Sequence, residues 1–147
     1  MSTIRMTMAQ ALVRYLCNQF TTMDGARVPL FPGVFAIFGH GNVTCLAEAL
    51  EAVKDILPTW RGQNEQSMAL AAIGFAKAKR RRQIMVATSS IGPGALNMIT
   101  AAGVAHTNRL PILIFDLRQR GNIRRIVMGE PIGTLVTTEE AIHVDGE

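Results

Sequence analysis

Apolar and polar positions along the chain alternate between helical spacing and short apolar runs. Thr7 and Gln10 have the spacing of a capping box, and the apolar residues between 11 and 16 recur at helical intervals, which predicts a first helix. Residues 21–33 contain two glycines and two prolines and are predicted to form a loop. The apolar run at residues 34–38 predicts the first strand.

The pattern continues as further pairs of strands and helices. A helix is predicted at residues 44–56, and residues 59–61 have the composition of a short strand. A long helix is predicted at residues 64–81, where most side chains are small or apolar. Residues 84–87 then predict another strand, and residues 88–94 a turn.

The last part of the chain repeats this alternation. A helix is predicted at residues 95–106, a strand at 111–115, a short helix at 122–128 and a last strand at 133–137. Strands that alternate with helices of this length indicate an α/β fold. We expect a three-layer sandwich, in which helices cover both faces of a mostly parallel sheet.

Three strand-to-helix turns are expected to share one edge of this sheet: residues 39–42, 62–65 and 89–94. Right-handed crossovers place such turns together, and ligands bind outside the carboxyl ends of parallel strands. Residues 39–44 begin like a dinucleotide fingerprint, but Thr44 stands where its third glycine would be. Phosphate binding and simple tight turns, in which glycine tolerates positive φ, are both compatible with the glycines.

Glu65 is the most suggestive residue of these turns, because it stands at the beginning of the long predicted helix. One interpretation is structural, since a carboxylate there is stabilised by the helix dipole by about 0.3–1 kcal/mol. The other is functional: a desolvated carboxylate at the ligand edge can share a proton with a ring nitrogen. Position alone favours the structural interpretation.

The sequence predicts no metal site. His40 and His106 stand alone, without metal-ligand spacing. Cys17 and Cys45 both lie in apolar surroundings and form no disulfide framework, which is typical of a reducing compartment. No Gly-x-Ser-x-Gly motif is present either.

Composition predicts one compact cytoplasmic domain. Its 147 residues are 48% hydrophobic and 18% charged, with no apolar run long enough to span a membrane and no pattern of a signal peptide. Residues 1–115 hold 11 Lys and Arg against 5 Asp and Glu, whereas residues 116–147 hold 4 against 6. The basic surplus is concentrated at residues 77–82, where it favours cations closing a helix over nucleic-acid binding.

Three separately spaced motifs carry a family resemblance. Residues 35–43 read FAIFGHGNV, residues 62–69 read GQNEQSMA, and residues 88–97 read TSSIGPGALN. Over about residues 1–115 the chain resembles the N-terminal pyrimidine-binding domain of thiamine-diphosphate enzymes. Within that superfamily it is most similar to the trihydroxycyclohexane-dione hydrolases, which open a ring in inositol catabolism.

This resemblance implies a specific chemistry. Glu65 matches the catalytic glutamate that hydrogen-bonds N1′ of the aminopyrimidine and promotes the imino tautomer that deprotonates the thiazolium C2. The implied cofactor is thiamine diphosphate with Mg²⁺, and only the pyrimidine half-site is expected here. The cofactor-binding residues implied are Gly39, His40, Gly41, Asn42, Glu65, Gly92, Pro93, Gly94 and Asn97.

The resemblance also implies a missing partner. In the family a separate C-terminal domain holds the diphosphate and Mg²⁺ through a Gly-Asp-Gly signature, and no Gly-Asp-Gly occurs in this sequence. The pyrimidine domain of one subunit faces the diphosphate domain of another, so this chain supplies half of a site at most. Exposed apolar surface favours a homodimer.

The end of the chain departs from that family. Residues 110–138 resemble the C-terminus of bacterial uridylate kinase, without that family's nucleotide-binding segments, and residues 139–147 are predicted to be a polar tail. We expect residues 116–138 to complete the domain begun by a truncated pyrimidine-binding domain at 1–115. Three hypotheses follow: an enzyme fragment that is inactive alone, an engineered or recombinant chimera without enzymatic function, and a nucleic-acid-binding protein.

Overall fold

A computed structural model describes residues 4–110, 112–114 and 134–136. The chain forms two compact units, residues 1–101 and 102–147. Among the described residues of the first unit, the helices and strands in chain order are α1 (Met8–Cys17), β1 (Phe20–Met23), β2 (Ala26–Pro29), β3 (Val34–Ala36), α2 (Gly39–Asn42), α3 (Leu46–Glu51), β4 (Thr59–Arg61), α4 (Glu65–Ala78), β5 (Val86–Thr88) and α5 (Pro93–Leu96). Helix α6 (Ile99–Thr107) leads into the second unit, which contains β6 (Ile112–Ile114) and β7 (Thr134–Val136).

The first unit contains a parallel three-stranded sheet in the order β4-β3-β5. Val34 of β3 is in register with Thr59 of β4 and Val86 of β5, so the three strands end side by side. The fold is therefore α/β with a parallel sheet and helices, as the alternating pattern predicts. In the second unit β6 and β7 pair antiparallel, which the expectation of a mostly parallel sheet did not include.

The core of the first unit lies between α1, β3 and α3. Its buried residues are all apolar and come from the first two predicted helices, from the strand predicted at 34–38 and from the residue that follows the second helix. They are Val13, Leu16, Val34, Ala36, Leu46, Ala49, Leu50 and Leu57. Helix α1 begins at the predicted capping box, where Thr7 accepts from the backbone N–H of Gln10 and the Gln10 side chain accepts from that of Thr7.

The prediction of a loop at residues 21–33 is wrong. Strands β1 and β2 form an antiparallel hairpin there, with Met23 paired to Ala26. Asp24 and Gly25 both have positive φ, 51° and 81°, as the two central residues of a type I′ turn require. The Asp-Gly pair inside the segment was the sequence signal for this hairpin.

Three predicted helices are shorter or broken in the structure. The helix predicted at 44–56 is regular only over α3, and the following residues form tight turns such as Ile56 N–H to Val53 carbonyl. The helix predicted at 64–81 ends as α4 at Ala78, and the one predicted at 95–106 is split into α5 and α6. The strand predicted at 84–87 corresponds to β5, which begins two residues later, at Val86.

The remaining predictions concern the end of the chain. Strands β6 and β7 confirm the strands predicted at 111–115 and 133–137. The short helix predicted at 122–128 and the polar tail at 139–147 lie outside the described residues. Within the described part of the chain, no helix combines the length and the apolar character needed to cross a membrane.

Candidate functional site

The three predicted turns come together at the carboxyl edge of the parallel sheet. Strands β3, β4 and β5 end at Ala36, Arg61 and Thr88, and each leads directly into one of the turns. The side-chain amide of Asn42 donates to the Ser89 carbonyl at 3.3 Å, which joins the turn after β3 to the turn after β5. The turns after β3 and β5 are therefore joined at the edge where the sequence predicts the strand-to-helix turns to meet.

Glu65 is the first residue of α4 and is buried, with only 6% of its surface exposed. The preceding residue, Asn64, is the N-cap, and its side-chain Oδ1 accepts from the backbone N–H of Ser67 at 3.1 Å. This cap fixes the first turn of the helix, so the carboxylate of Glu65 is presented at a defined place on the sheet edge.

The turn after β5 holds the Glu65 carboxylate. Ser90 Oγ donates to Glu65 Oε1 at 2.9 Å. Hydrogen bonds from the backbone N–H of Glu65 itself and from the Ser90 hydroxyl lower the pKa of Glu65, with smaller contributions from the Asn97 side chain and the Ser90 N–H. Burial acts in the opposite direction and raises it, but the hydrogen bonds prevail. Glu65 is therefore an ionised, buried carboxylate.

Two glycines among the predicted site residues are required by close packing. A Cβ built on Gly39 would lie 2.8 Å from Ser90 Cβ, and one built on Gly94 would collide with Ser90 Oγ and Glu65 Oε1. Gly39 and Gly92 also have positive φ, 57° and 60°. Each of these glycines has a steric or conformational reason for its place that needs no phosphate.

The other predicted site residues lie around this cluster. Gly39, His40 and Gly41 are exposed and form the single turn of α2 together with the half-buried Asn42. Pro93 is the first residue of α5, where its missing N–H costs nothing, and Asn97 is the C-cap of that helix. The side chain of Asn97, expected to bind cofactor, makes a small contribution to lowering the pKa of Glu65.

Ser90 is the residue that sequence reasoning missed. It stands inside the predicted turn, but it was not among the candidate site residues. The sequence shows only that a hydroxyl side chain stands two residues after β5, at the edge where the turns are expected to meet. Pairing that hydroxyl with Glu65 required the relative position of β5 and α4, which spacing does not give.

Two cavities lie apart from this cluster. One of about 380 Å³ lies between α1 and α3 and is lined by Val13, Cys17 and Cys45, among others. Another of about 690 Å³ lies beside α3 and the end of β4. Neither is lined by Glu65 or Ser90. Among the described residues no three His, Cys, Asp or Glu side chains are grouped to hold a metal ion. The site is therefore defined by its carboxylate and turns, on an open sheet edge.

A parallel α/β unit whose three strand-to-helix turns gather around one buried carboxylate has the architecture of a ligand-binding domain. The sequence pattern of the family described as thiamine pyrophosphate enzyme, N-terminal TPP binding domain, matches residues 32–124, more than half of the chain. The chain belongs to this family.

Curated relatives agree with this assignment. The chain is 55% identical over 114 residues to 3D-(3,5/4)-trihydroxycyclohexane-1,2-dione hydrolase of Geobacillus thermodenitrificans (strain NG80-2). It is 52% identical over the same length to the enzymes of that name from Bacillus thuringiensis (strain Al Hakam) and Bacillus anthracis (strain A0248). Each match spans 78% of this chain but only 18% of the relative.

Proposed function

We propose that this chain supplies the pyrimidine half-site of a thiamine-diphosphate-dependent hydrolase that opens the ring of a cyclic dione, and that it is inactive alone. The observation that carries the proposal is the buried Glu65 carboxylate, held where the turns after β3, β4 and β5 meet. The similarity to trihydroxycyclohexane-dione hydrolases supports the choice of substrate class.

The donor set fits an aminopyrimidine ring. Glu65 offers a carboxylate that is shielded from bulk water and can hold or release a proton at its oxygen, which is the chemistry a ring nitrogen requires. The turns at residues 39–42 and 89–94 would flank the ring. A ring nitrogen at the carboxylate replaces water with a partner that favours the protonated acid, so ring binding raises the pKa of Glu65.

Thiamine diphosphate, when bound, supplies a nucleophilic carbon for cleaving a bond next to a carbonyl group. The role proposed for Glu65 is to move a proton at the pyrimidine nitrogen, and the role proposed for residues 39–42 and 92–94 is to orient the ring. The diphosphate and Mg²⁺ would be held by a separate domain, facing this unit in an assembly. A homodimer and a cytoplasmic location complete the proposal.

Nuclear magnetic resonance of the full chain with thiamine tests the half-site. At millimolar thiamine we expect backbone amide shifts at residues 39–42, 65 and 89–94. The Glu65→Gln variant should bind at least about tenfold more weakly, because an amide cannot share an acid proton with the ring nitrogen. Glu48→Gln, at an exposed position of α3, is the matched control and should bind like the wild type. Shifts confined to residues away from the three turns would contradict the half-site.

Calorimetry with thiamine diphosphate and Mg²⁺ tests the second part of the proposal. We expect weak binding at most, because the proposal places the diphosphate and metal contacts on another domain. Tight binding that Glu65→Gln abolishes would show that the chain completes the site by itself. Turnover of a cyclic dione by the chain alone would contradict the proposed inactivity.

A second candidate is an engineered or recombinant chimera without enzymatic function, which the resemblance of residues 110–138 to the C-terminus of uridylate kinase favours. The change of charge balance at residue 116 falls beside the proposed junction, whereas the family match continues across it to residue 124. This candidate predicts cooperative unfolding, no response of Glu65 to thiamine and no uridylate phosphorylation. Measured kinase activity would contradict it, and specific thiamine shifts at the three turns would favour the first candidate.

A further inference from the structure

Ser90 links the turn after β5 to the beginning of α4. Its hydroxyl lies in the turn after β5 and donates to Glu65 Oε1 at the beginning of α4, at 2.9 Å. Ser90 is half-buried and Glu65 is buried, so the hydrogen bond is partly shielded from competing water. A glutamate side chain has three rotatable bonds, so without this hydrogen bond the carboxylate would sample several rotamers.

The space around this hydrogen bond is kept open by two glycines on different elements. Gly39 at the start of α2 leaves room for the Cβ of Ser90, and Gly94 in α5 leaves room for its Oγ and for the Glu65 carboxylate. A side chain at either position would displace Ser90 or Glu65. Both glycines therefore act on the same pair of residues, from two of the three turns.

We propose that Ser90 is the positioning residue of Glu65: its hydroxyl fixes the carboxylate at the sheet edge, and Gly39 and Gly94 provide the clearance that this hydrogen bond needs. The hydroxyl acts through Glu65 and has no assigned contact with a ligand. The role of Ser90 in holding the carboxylate stands on the ligand-free geometry, and only its use toward an aminopyrimidine rests on the proposed function.

A carbon-13 NMR titration of the Glu65 side-chain carboxyl in the ligand-free full chain tests this role. Ser90→Ala removes the donor, so the pKa of Glu65 should rise relative to the wild type, since the hydrogen bond favours the ionised form. Ser89→Ala makes the same chemical change one residue earlier and removes no side-chain hydrogen bond that the structure shows. It should leave the pKa of Glu65 where it is in the wild type.

A second variant keeps the test decisive if Ser90→Ala does not fold. Ser90→Cys preserves the approximate size but replaces the hydroxyl with a weak donor, and it should also raise the pKa of Glu65. A pKa of Glu65 equal to the wild type in the folded Ser90 variant would overturn the proposal, as would an equal rise in Ser89→Ala.

Adding thiamine to the same samples separates this proposal from the proposed function. If the pKa of Glu65 responds to Ser90 while thiamine leaves the three turns unshifted, the positioning role is supported and the half-site is contradicted. If thiamine shifts the turns while the pKa of Glu65 is indifferent to Ser90, the half-site is supported and the positioning role is overturned.

Discussion

The hydroxyl of Ser90 and the carboxylate of Glu65 lie 2.9 Å apart, although 25 positions separate the two residues along the chain. This hydrogen bond joins the turn after β5 to the N-terminus of α4. The Asn42 side chain, in the turn after β3, donates to the Ser89 carbonyl in the turn after β5. The candidate site is thus a small polar network built across the ends of parallel strands.

Acid should weaken the fold through Glu65. Hydrogen bonds from its own backbone N–H and from Ser90 hold the pKa of Glu65 below the ordinary value of 4.5, so its ionised form stabilises the folded state. That contribution is present above pH 4.5 and is lost as the pH falls through the lower folded-state value. Urea unfolding of wild type and Glu65→Gln between pH 7 and pH 3 should therefore show a stability difference that narrows in acid.

Asp55→Asn is the control for the acid experiment, because Asp55 is exposed and lies after α3, outside the candidate site. Its stability should follow the wild-type curve. A difference between wild type and Glu65→Gln that stays constant from pH 7 to pH 3 would contradict the assignment of a stabilising ionised carboxylate to Glu65.

Substituting Gly94 should destabilise the protein despite its helical position. A Cβ there meets Ser90 Oγ and Glu65 Oε1, so Gly94→Ala should lower the free energy of unfolding by about 1–3 kcal/mol. Gly74→Ala in α4 is the matched control, since its Cβ meets nothing within 4 Å. The control should be stabilised by up to about 1 kcal/mol, because alanine loses less backbone entropy in a helix. Equal effects of the two changes in urea unfolding would refute the steric argument.

A glycine at residue 80, just after the C-terminus of α4, should stabilise the fold. After the C-cap at Lys79, the N–H groups of Arg80 and Arg81 bond back to the carbonyls of Lys77 and Ala76, which is a Schellman motif. Arg80 has φ of 53°, a conformation that costs a residue with a Cβ about 1–2 kcal/mol. Arg80→Gly should therefore stabilise the fold by about 1 kcal/mol in urea unfolding.

Lys79→Gly is the comparison for the Arg80 variant, because Lys79 has φ of −86° and gains nothing from glycine. It should leave the stability unchanged or lower it. Stabilisation by Lys79→Gly as large as that by Arg80→Gly would show that the positive φ of Arg80 is not the cause.

Local signals in the sequence were sufficient for the elements that begin at a defined cap or consist of one apolar run. Thr7 with Gln10 predicted the start of α1, and the run at residues 34–38 predicted β3, because each signal depends only on neighbouring residues. The hairpin at Asp24 and Gly25 was not predicted, because its short strands lie in a segment whose glycines and prolines are typical of a loop.

The position of the site at the sheet edge could be predicted from the sequence, but the contacts between its side chains could not. Parallel strands put the three turns at one edge, so Glu65 could be placed there from the order of elements alone. Its partner Ser90 and the clearance at Gly94 depend on angles between β5, α4 and α5, which no spacing in the sequence encodes. The direction in which the pKa of Glu65 is shifted depends on the same contacts, since burial alone would have raised that pKa.

The central claim is that Glu65 of this chain meets a pyrimidine nitrogen, and the most direct measurement is the carbon-13 titration of its carboxyl with and without millimolar thiamine. The account predicts that thiamine raises the pKa of Glu65, because a ring nitrogen stabilises the protonated acid and excludes water. An unchanged titration of Glu65 in the presence of thiamine would contradict it.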